Sequence, residues 1–161
     1  MGTFDETEDY REALCRIKVI SGIGDTTATI IKTILKLPED VADRAVDEVI
    51  YIDCHGIDRF FGKYHIWSPF FLPEEPFHII TLNISDIVDE SEKMFVVAHE
   101  IAHFILDHCN PENPGNISKD KDVKEQEADR LAESWGFTIP ERRKEMHGNS
   151  PSMVGDQGTI F

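Results

Sequence analysis

Apolar residues recur along the first third of the chain at the three- and four-residue spacing of amphipathic helices. The first stripe predicts a helix over residues 5–20. The second predicts a helix with four apolar residues on one face, Ile30, Ile31, Ile34 and Leu35. A third predicts a shorter helix that starts at Pro38, since proline is favoured at the first helical position. We interpret all three stripes as faces that pack a scaffold against the core.

The pattern then changes to short runs rich in β-branched and aromatic residues, which are typical of strands. Strands are predicted over residues 49–54, 62–67 and 78–84, with a proline-containing loop between the last two. The short connections favour an antiparallel or mixed sheet that lies before the next helix.

A long apolar segment over residues 89–108 follows the predicted strands. Apolar residues surround it on nearly every side, which predicts a buried helix. After a loop that contains two prolines, residues 122–135 predict another helix, and one or two further turns are predicted near residues 140–146. The fold class is therefore α+β, with a small antiparallel or mixed sheet packed on helices.

We find no internal repeat and no boundary between domains. One domain is predicted over residues 1–146, with a helical part at 1–47 and a core at 48–137. Residues 147–161, which contain three glycines and a proline, predict a flexible tail.

The charge balance narrows the possible partners. The 161 residues include 31 acidic residues against 16 lysines and arginines, a formal net charge of −15. This charge repels phosphate backbones, so direct nucleic-acid binding is not expected, and basic segments of a protein are favoured as partners. The three scattered cysteines, the acidic N-terminus and the lack of an apolar run of about 20 residues predict a cytoplasmic protein without a membrane span.

The chemistry centres on His99-Glu100-Ile101-Ala102-His103, an HExxH sequence inside the buried segment. Histidines four residues apart lie on the same face of a helix, so His99 and His103 can reach one Zn²⁺. Glu100, beside them, is placed to act as the base toward water at the metal. Two histidines leave the site incomplete, so a third ligand is needed.

The helix after the loop offers that ligand. Glu125 and Asp129 are four residues apart and share a face. Glu125 can complete a His₂Glu site that keeps its fourth position for water, and Asp129 can accept a hydrogen bond from the free N–H of a ligand histidine. Glu127 points to the other side of the helix and is the second choice. The alternative is that Glu125 and Asp129 belong to an acidic, solvated helix face without a function.

Other assignments of the ligands fit less well. A metzincin would need glycine and histidine where the chain has Leu106 and Cys109. His108 is about half a turn away from His99 around the helix, so we expect it at the helix C-terminus, facing the macrodipole or solvent. The remaining histidines lack metal spacing, although His55, His65 or His78 can still line the cleft.

Residues 92–108 resemble the active-site helix of the ImmA/IrrE family of zinc metallopeptidases, and Glu125-Gln126-Glu127-Ala128-Asp129 is similar to that family's second motif. The resemblance implies His99, His103 and Glu125 as zinc ligands with Glu100 catalytic. It also implies that the strand at 78–84 is the substrate-side edge strand, with Ile80, Leu82 and Asn83 binding substrate. Asp129 stands where the family often has asparagine.

The resemblance further implies a zinc-dependent endopeptidase that hydrolyses peptide bonds of a protein substrate, such as a transcriptional repressor or regulator. Weak candidates for the oxyanion donor are Tyr64, His65 and Arg130.

One alternative is a non-catalytic interaction module in which a closed metal site joins two helices, with Cys109 as a fourth ligand. Another is that HExxH is a coincidence in a helical bundle. The substrate, pathway, regulation and oligomeric state do not follow from the sequence, and Mn²⁺ or Fe²⁺ remains an alternative to zinc.

Overall fold

Four strands form one sheet in the computed structural model, which describes residues 15–20, 24–54, 61–67, 77–110, 113, 115 and 119–148. The strands are β1 (Lys18–Ile20), β2 (Val49–Asp53), β3 (Gly62–Trp67) and β4 (Phe77–Leu82). They lie in the order β1-β2-β4-β3. The pairs β1–β2 and β2–β4 are parallel, whereas β3–β4 is antiparallel. The sheet is therefore mixed, and only the β3–β4 hairpin has the antiparallel pairing that the short connections favour.

Strand β4 lies inside the sheet, because it is hydrogen-bonded to β2 on one side and to β3 on the other. The prediction that residues 78–84 form an edge strand is therefore wrong. In the described sheet the outer strands are β1 and β3. Ile80 and Leu82 share the face of β4 that packs on the core, and both are fully buried. An alternating pattern of this kind indicates a strand without indicating which strands flank it.

The helices are α1 (Gly24–Ile34), α2 (Glu39–Asp47), α3 (Glu90–Ile105), α4 (Lys121–Ser134) and α5 (Glu141–Gly148). Helix α3 is the centre of the packing, since it contacts α1, α4, β3 and β4. Its side chains from Val97 to Phe104 are all buried. The predicted α+β class, a small mixed sheet with helices, is confirmed.

Two helix predictions in the first third of the chain need correction. Cys15 and Arg16 are helical, but Lys18–Ile20 forms β1, so the predicted helix 5–20 does not reach its predicted end. The β-branched pair Val19-Ile20 favours a strand, and pairing with β2 supplies its hydrogen bonds. Residues 5–14 lie outside the described residues. Helix α1 ends at Ile34, so Leu35 lies in the following turn and is 42% exposed.

Near the C-terminus, α4 ends before a turn at Gly136, whose φ of 90° suits glycine. Helix α5 includes residues 147 and 148, the first two residues of the predicted flexible tail. Residues 149–161 lie outside the described part of the chain. Within the described residues, no helix combines the length and the apolar character that a membrane span requires.

Candidate metal centre

Helix α3 carries His99 and His103 one turn apart on the same face. The helix begins after Asp89, whose carboxylate accepts a 2.8 Å hydrogen bond from the N–H of Ser91, as an N-cap does. Both histidines are buried, and their Nε2 atoms lie 3.0 Å apart. The helix therefore directs two ring nitrogens to one point.

Helix α4 brings the carboxylate of Glu125 to the same point. Its Oε2 lies 3.3 Å from Nε2 of His99, and its Oε1 lies 3.6 Å from Nε2 of His103. Ligands at about 2.0–2.1 Å from a tetrahedral zinc ion are about 3.4 Å apart, close to these separations. Among the described residues, these three form the group whose ligand atoms all lie within 4.8 Å of one another. Two imidazoles and one carboxylate are a donor set of catalytic zinc sites, so the residues fit the ion.

Asp129 lies behind His99, one turn along α4 from Glu125. Its Oδ1 is 2.8 Å from Nδ1 of His99, which is the contact that the four-residue spacing predicts. Asp129 is buried, and burial opposes its ionisation, but the hydrogen bonds from His99 and Arg143 lower its pKa. The ionised carboxylate accepts the proton on Nδ1 of His99, so Nε2 is the ring nitrogen that faces Glu125.

The charges of this cluster are strongly coupled. Burial opposes protonation of His99, but hydrogen bonds to Asp129 and Glu125 outweigh it and raise its pKa. The hydrogen bond from His99 in turn lowers the pKa of Glu125 far below its ordinary value. Burial and the charge on His99 lower the pKa of His103 to about 3. His103 is therefore a neutral imidazole, the form that binds metals.

Glu100 is buried beneath β3, next to the two histidines. Burial raises its pKa to about 7, while the backbone N–H of Tyr64 donates a hydrogen bond to its carboxylate. Gly62 makes room for it: a Cβ at this position would lie 2.6 Å from Cγ and 2.8 Å from Oε1 of Glu100. A carboxyl group with this pKa is suited to accept and return a proton near neutral pH.

Arg143, on α5, is a site residue that the sequence analysis missed. Its guanidinium donates to Oε2 of Glu125 and, through Nε, to Oδ1 of Asp129, each at 2.7 Å. Nη2 also lies 3.0 Å from Nε2 of His99. The weak candidate Arg130 is exposed instead. In the sequence, Arg143 is marked only as one of two arginines that follow Pro140. Its contact with Glu125 and Asp129 depends on the turn at Gly136, whose direction the sequence pattern does not predict.

His108 contradicts our expectation that it faces the macrodipole or solvent. Asp107 adopts a φ of 55°, which turns the chain back beneath α3. His108 is consequently buried, with its Nδ1 2.8 Å from Nδ1 of His103 and its Nε2 3.1 Å from Oε2 of Glu127. Glu127, the second choice for a ligand, contacts His108 and Lys119 instead of the metal position.

The predicted substrate-binding residues do not lie on an open edge of the sheet. Ile80 and Leu82 are fully buried in a strand that is paired on both sides, so their assignment as substrate contacts is wrong. Asn83 follows β4, and its N–H donates to the carbonyl of Phe61 at 2.8 Å. The hydroxyl of Tyr64, another weak candidate, lies 2.8 Å from Nδ1 of His78, and only the Tyr64 backbone reaches Glu100.

The mixed α+β fold and the His₂Glu donor set are typical of metallopeptidases. The model of the peptidase family described as the IrrE N-terminal-like domain matches residues 52–143, which is more than half of the chain. The chain therefore belongs to this family. The match begins within β2 and ends at Arg143. Comparisons with curated proteins and with solved structures found no match.

Proposed function

We propose that this protein is a zinc-dependent endopeptidase that hydrolyses peptide bonds of a protein substrate. The observation that carries the proposal is the convergence of His99, His103 and Glu125 from two helices, with the buried carboxyl group of Glu100 beside them. A coincidental HExxH in a helical bundle would give no reason for a carboxylate to meet both histidines. The family membership supports a metallopeptidase but does not identify the metal or the substrate.

In this proposal His99, His103 and Glu125 hold the zinc ion. When bound, zinc supplies Lewis-acid polarisation of the scissile carbonyl and increases the acidity of water. Glu100 accepts the proton of the attacking water and delivers it to the leaving nitrogen. Asp129 keeps the proton of His99 on the ring nitrogen that faces away from the ligands. The N–H of Tyr64 orients the Glu100 carboxylate.

We propose β3, in place of β4, as the strand along which an extended peptide lies. It is an outer strand, and its backbone passes directly over Glu100. The carbonyl of Tyr64 is directed away from β4 and accepts a 3.3 Å hydrogen bond from the thiol of Cys109. Pairing of a peptide with β3 would place its backbone beside the catalytic carboxylate and give affinity with little sequence demand.

The identity of the substrate stays a prediction. The formal charge of −15 favours basic segments of a partner protein. A repressor or regulator is what the family resemblance implies, and a cytoplasmic location is the corresponding expectation. A helix-turn-helix protein encoded in the same transcript would be the first substrate to test.

The decisive variant is Glu100→Gln, which removes the base and keeps the size of the side chain. We expect zinc content equal to that of the unchanged protein and a loss of peptide hydrolysis of at least a hundredfold. His103→Ala is the matched control, because it should lose zinc as well. Metal analysis and cleavage of an unstructured protein measure the two properties. Retained hydrolysis in Glu100→Gln would remove Glu100 as the base.

The alternative of a non-catalytic, metal-stapled module requires a closed set of four ligands. Among the described residues only three potential ligands converge, and the thiol of Cys109 is directed to the Tyr64 carbonyl. This open geometry favours catalysis. The alternative gains support if the protein binds zinc tightly and cleaves none of the candidate substrates.

A further inference from the structure

The far side of His103 is occupied by a second histidine. Nε2 of His103 faces the metal position, and its other ring nitrogen, Nδ1, lies 2.8 Å from Nδ1 of His108. Carboxylates, backbone carbonyls and water are the usual partners for this nitrogen of a metal-binding histidine. His99 follows that rule through Asp129, whereas His103 uses an imidazole.

Two facing ring nitrogens permit only one arrangement of protons if His103 binds a metal. A neutral His103 that offers Nε2 to the ion carries its proton on Nδ1, so this nitrogen donates. Nδ1 of His108 must then accept, which puts the His108 proton on Nε2. That nitrogen lies 3.1 Å from Oε2 of Glu127, an acceptor. Each hydrogen bond therefore fixes the direction of the next.

The outer end of this chain is held in place by charge and by backbone contacts. The ammonium group of Lys119 lies 3.0 Å and 2.8 Å from the two carboxylate oxygens of Glu127. Lys124 donates to the carbonyl of His108 at 2.9 Å. The side chain of His108 is 1% exposed, so its ring nitrogens are shielded from solvent, whereas Glu127 and Lys119 are partly exposed.

We propose that His108 is a positioning residue for the metal: it fixes the ring and the tautomer of His103 through a hydrogen-bond chain of His103, His108, Glu127 and Lys119. This inference rests on the proposed role of His103 as a ligand. Partners of this kind typically contribute 10–100-fold to metal affinity, and the expected effect here is of that size.

The test measures the dissociation constant of Zn²⁺ by competition with a chromophoric chelator, without any need for peptidase activity. His108→Leu removes the acceptor and should weaken zinc binding by 10–100-fold. His108→Asn offers a side-chain oxygen near the place of Nδ1 and should recover most of that loss. Glu127→Gln, two hydrogen bonds away from the ion, should weaken binding less than His108→Leu does.

His78→Leu is the matched control. His78 is half-buried, packs against Phe104 with a ring-centroid distance of 4.8 Å and is hydrogen-bonded to Tyr64, but it does not contact a proposed ligand. Its replacement should change thermal stability and leave zinc affinity within about threefold. If His108→Leu fails to fold, the zinc affinities of His108→Asn and Glu127→Gln are compared with that of the unchanged protein.

A second readout reports the tautomers directly. In the zinc-loaded protein, nitrogen-resolved NMR of the seven histidine rings should show the His103 proton on Nδ1 and the His108 proton on Nε2. The opposite tautomer of His108, or unchanged zinc affinity in His108→Leu, would overturn the inference. Complete loss of zinc in His108→Leu, as in His103→Ala, would make His108 a ligand and also overturn it. Failure of the unchanged protein to bind zinc would instead contradict the proposed function.

Discussion

The carboxyl group of Glu100, which lies beneath β3, requires glycine at position 62. A Cβ there would overlap Cγ and Oε1 of Glu100, since the distances of 2.6 Å and 2.8 Å are shorter than real contacts of a Cβ. The sequence alone offered Gly62 only as the first residue of a strand. Its importance appears once β3 is seen to cross the end of the Glu100 side chain.

Gly62→Ala should therefore displace Glu100 without touching the metal ligands. Displacement of a catalytic group by about 1 Å costs on the order of a hundredfold in rate. We expect a fall in kcat/KM of tenfold or more, with zinc affinity unchanged within about threefold. Peptide cleavage and chelator competition measure the two quantities. Gly115→Ala is the control, since its Cβ would meet only a side-chain oxygen of Asn113, at 3.3 Å. Full activity of Gly62→Ala would show that Glu100 does not depend on this space.

At the scale of the element, the most informative feature is how α3 ends. The helix stops at Ile105, and Asp107 takes a left-handed conformation with a φ of 55°. The N–H of His108 then donates to the carbonyl of His103 at 3.1 Å. In a continued helix, His108 would lie about half a turn around the axis from His99. The turn at Asp107 instead brings His108 into contact with His103.

Replacement of Asp107 tests the turn. Asparagine tolerates a positive φ, so Asp107→Asn should change the free energy of unfolding by less than about 0.5 kcal/mol. Valine does not tolerate it, and Asp107→Val should lower that free energy by about 1–2 kcal/mol. Urea unfolding of the metal-free protein measures both. Equal stability of the two variants would mean that the turn is not under steric constraint.

The sequence predicted the elements whose signal is local. The strand 62–67 was predicted with the bounds that the structure has, and the spacing within α4 predicted the contact between Asp129 and His99. Strand order was not predictable, because pairing of β4 with both β2 and β3 depends on contacts between distant residues. The position of His108 was predicted wrongly and Arg143 was missed for a related reason. Each reaches the site through a residue with positive φ, Asp107 or Gly136, and periodicity does not encode how such a residue changes the direction of the chain.

At the scale of the whole molecule, we expect metal binding and stability to be coupled through Arg143. Its guanidinium lies between the carboxylates of Glu125 and Asp129, the second of which is buried. Removal of this cation leaves two carboxylates close together without their counter-charge. A zinc ion bound to the ligands would supply positive charge at the same place.

Arg143→Met should therefore lower the stability of the protein without zinc by about 1.5–3 kcal/mol, the range for hydrogen bonds to charged groups. Excess zinc should raise the melting temperature of this variant by more than it raises that of the unchanged protein. Arg142→Met is the control, because Arg142 forms an ion pair with Glu92 and stacks on Phe61. These contacts do not involve the proposed metal ligands. Thermal unfolding with and without zinc gives the comparison. An equal zinc response in both variants would contradict the coupling.

The position of β4 inside the sheet also bears on self-association. Of the two outer strands of the described sheet, β1 is the poor template for strand addition. β1 is three residues long and begins with Lys18, whereas β3 is six residues long and is the strand proposed to pair with a substrate peptide. Short edge strands and lysine side chains are devices that keep natural sheets from joining edge to edge. We therefore expect strand addition at β3, beside Glu100, rather than at β1.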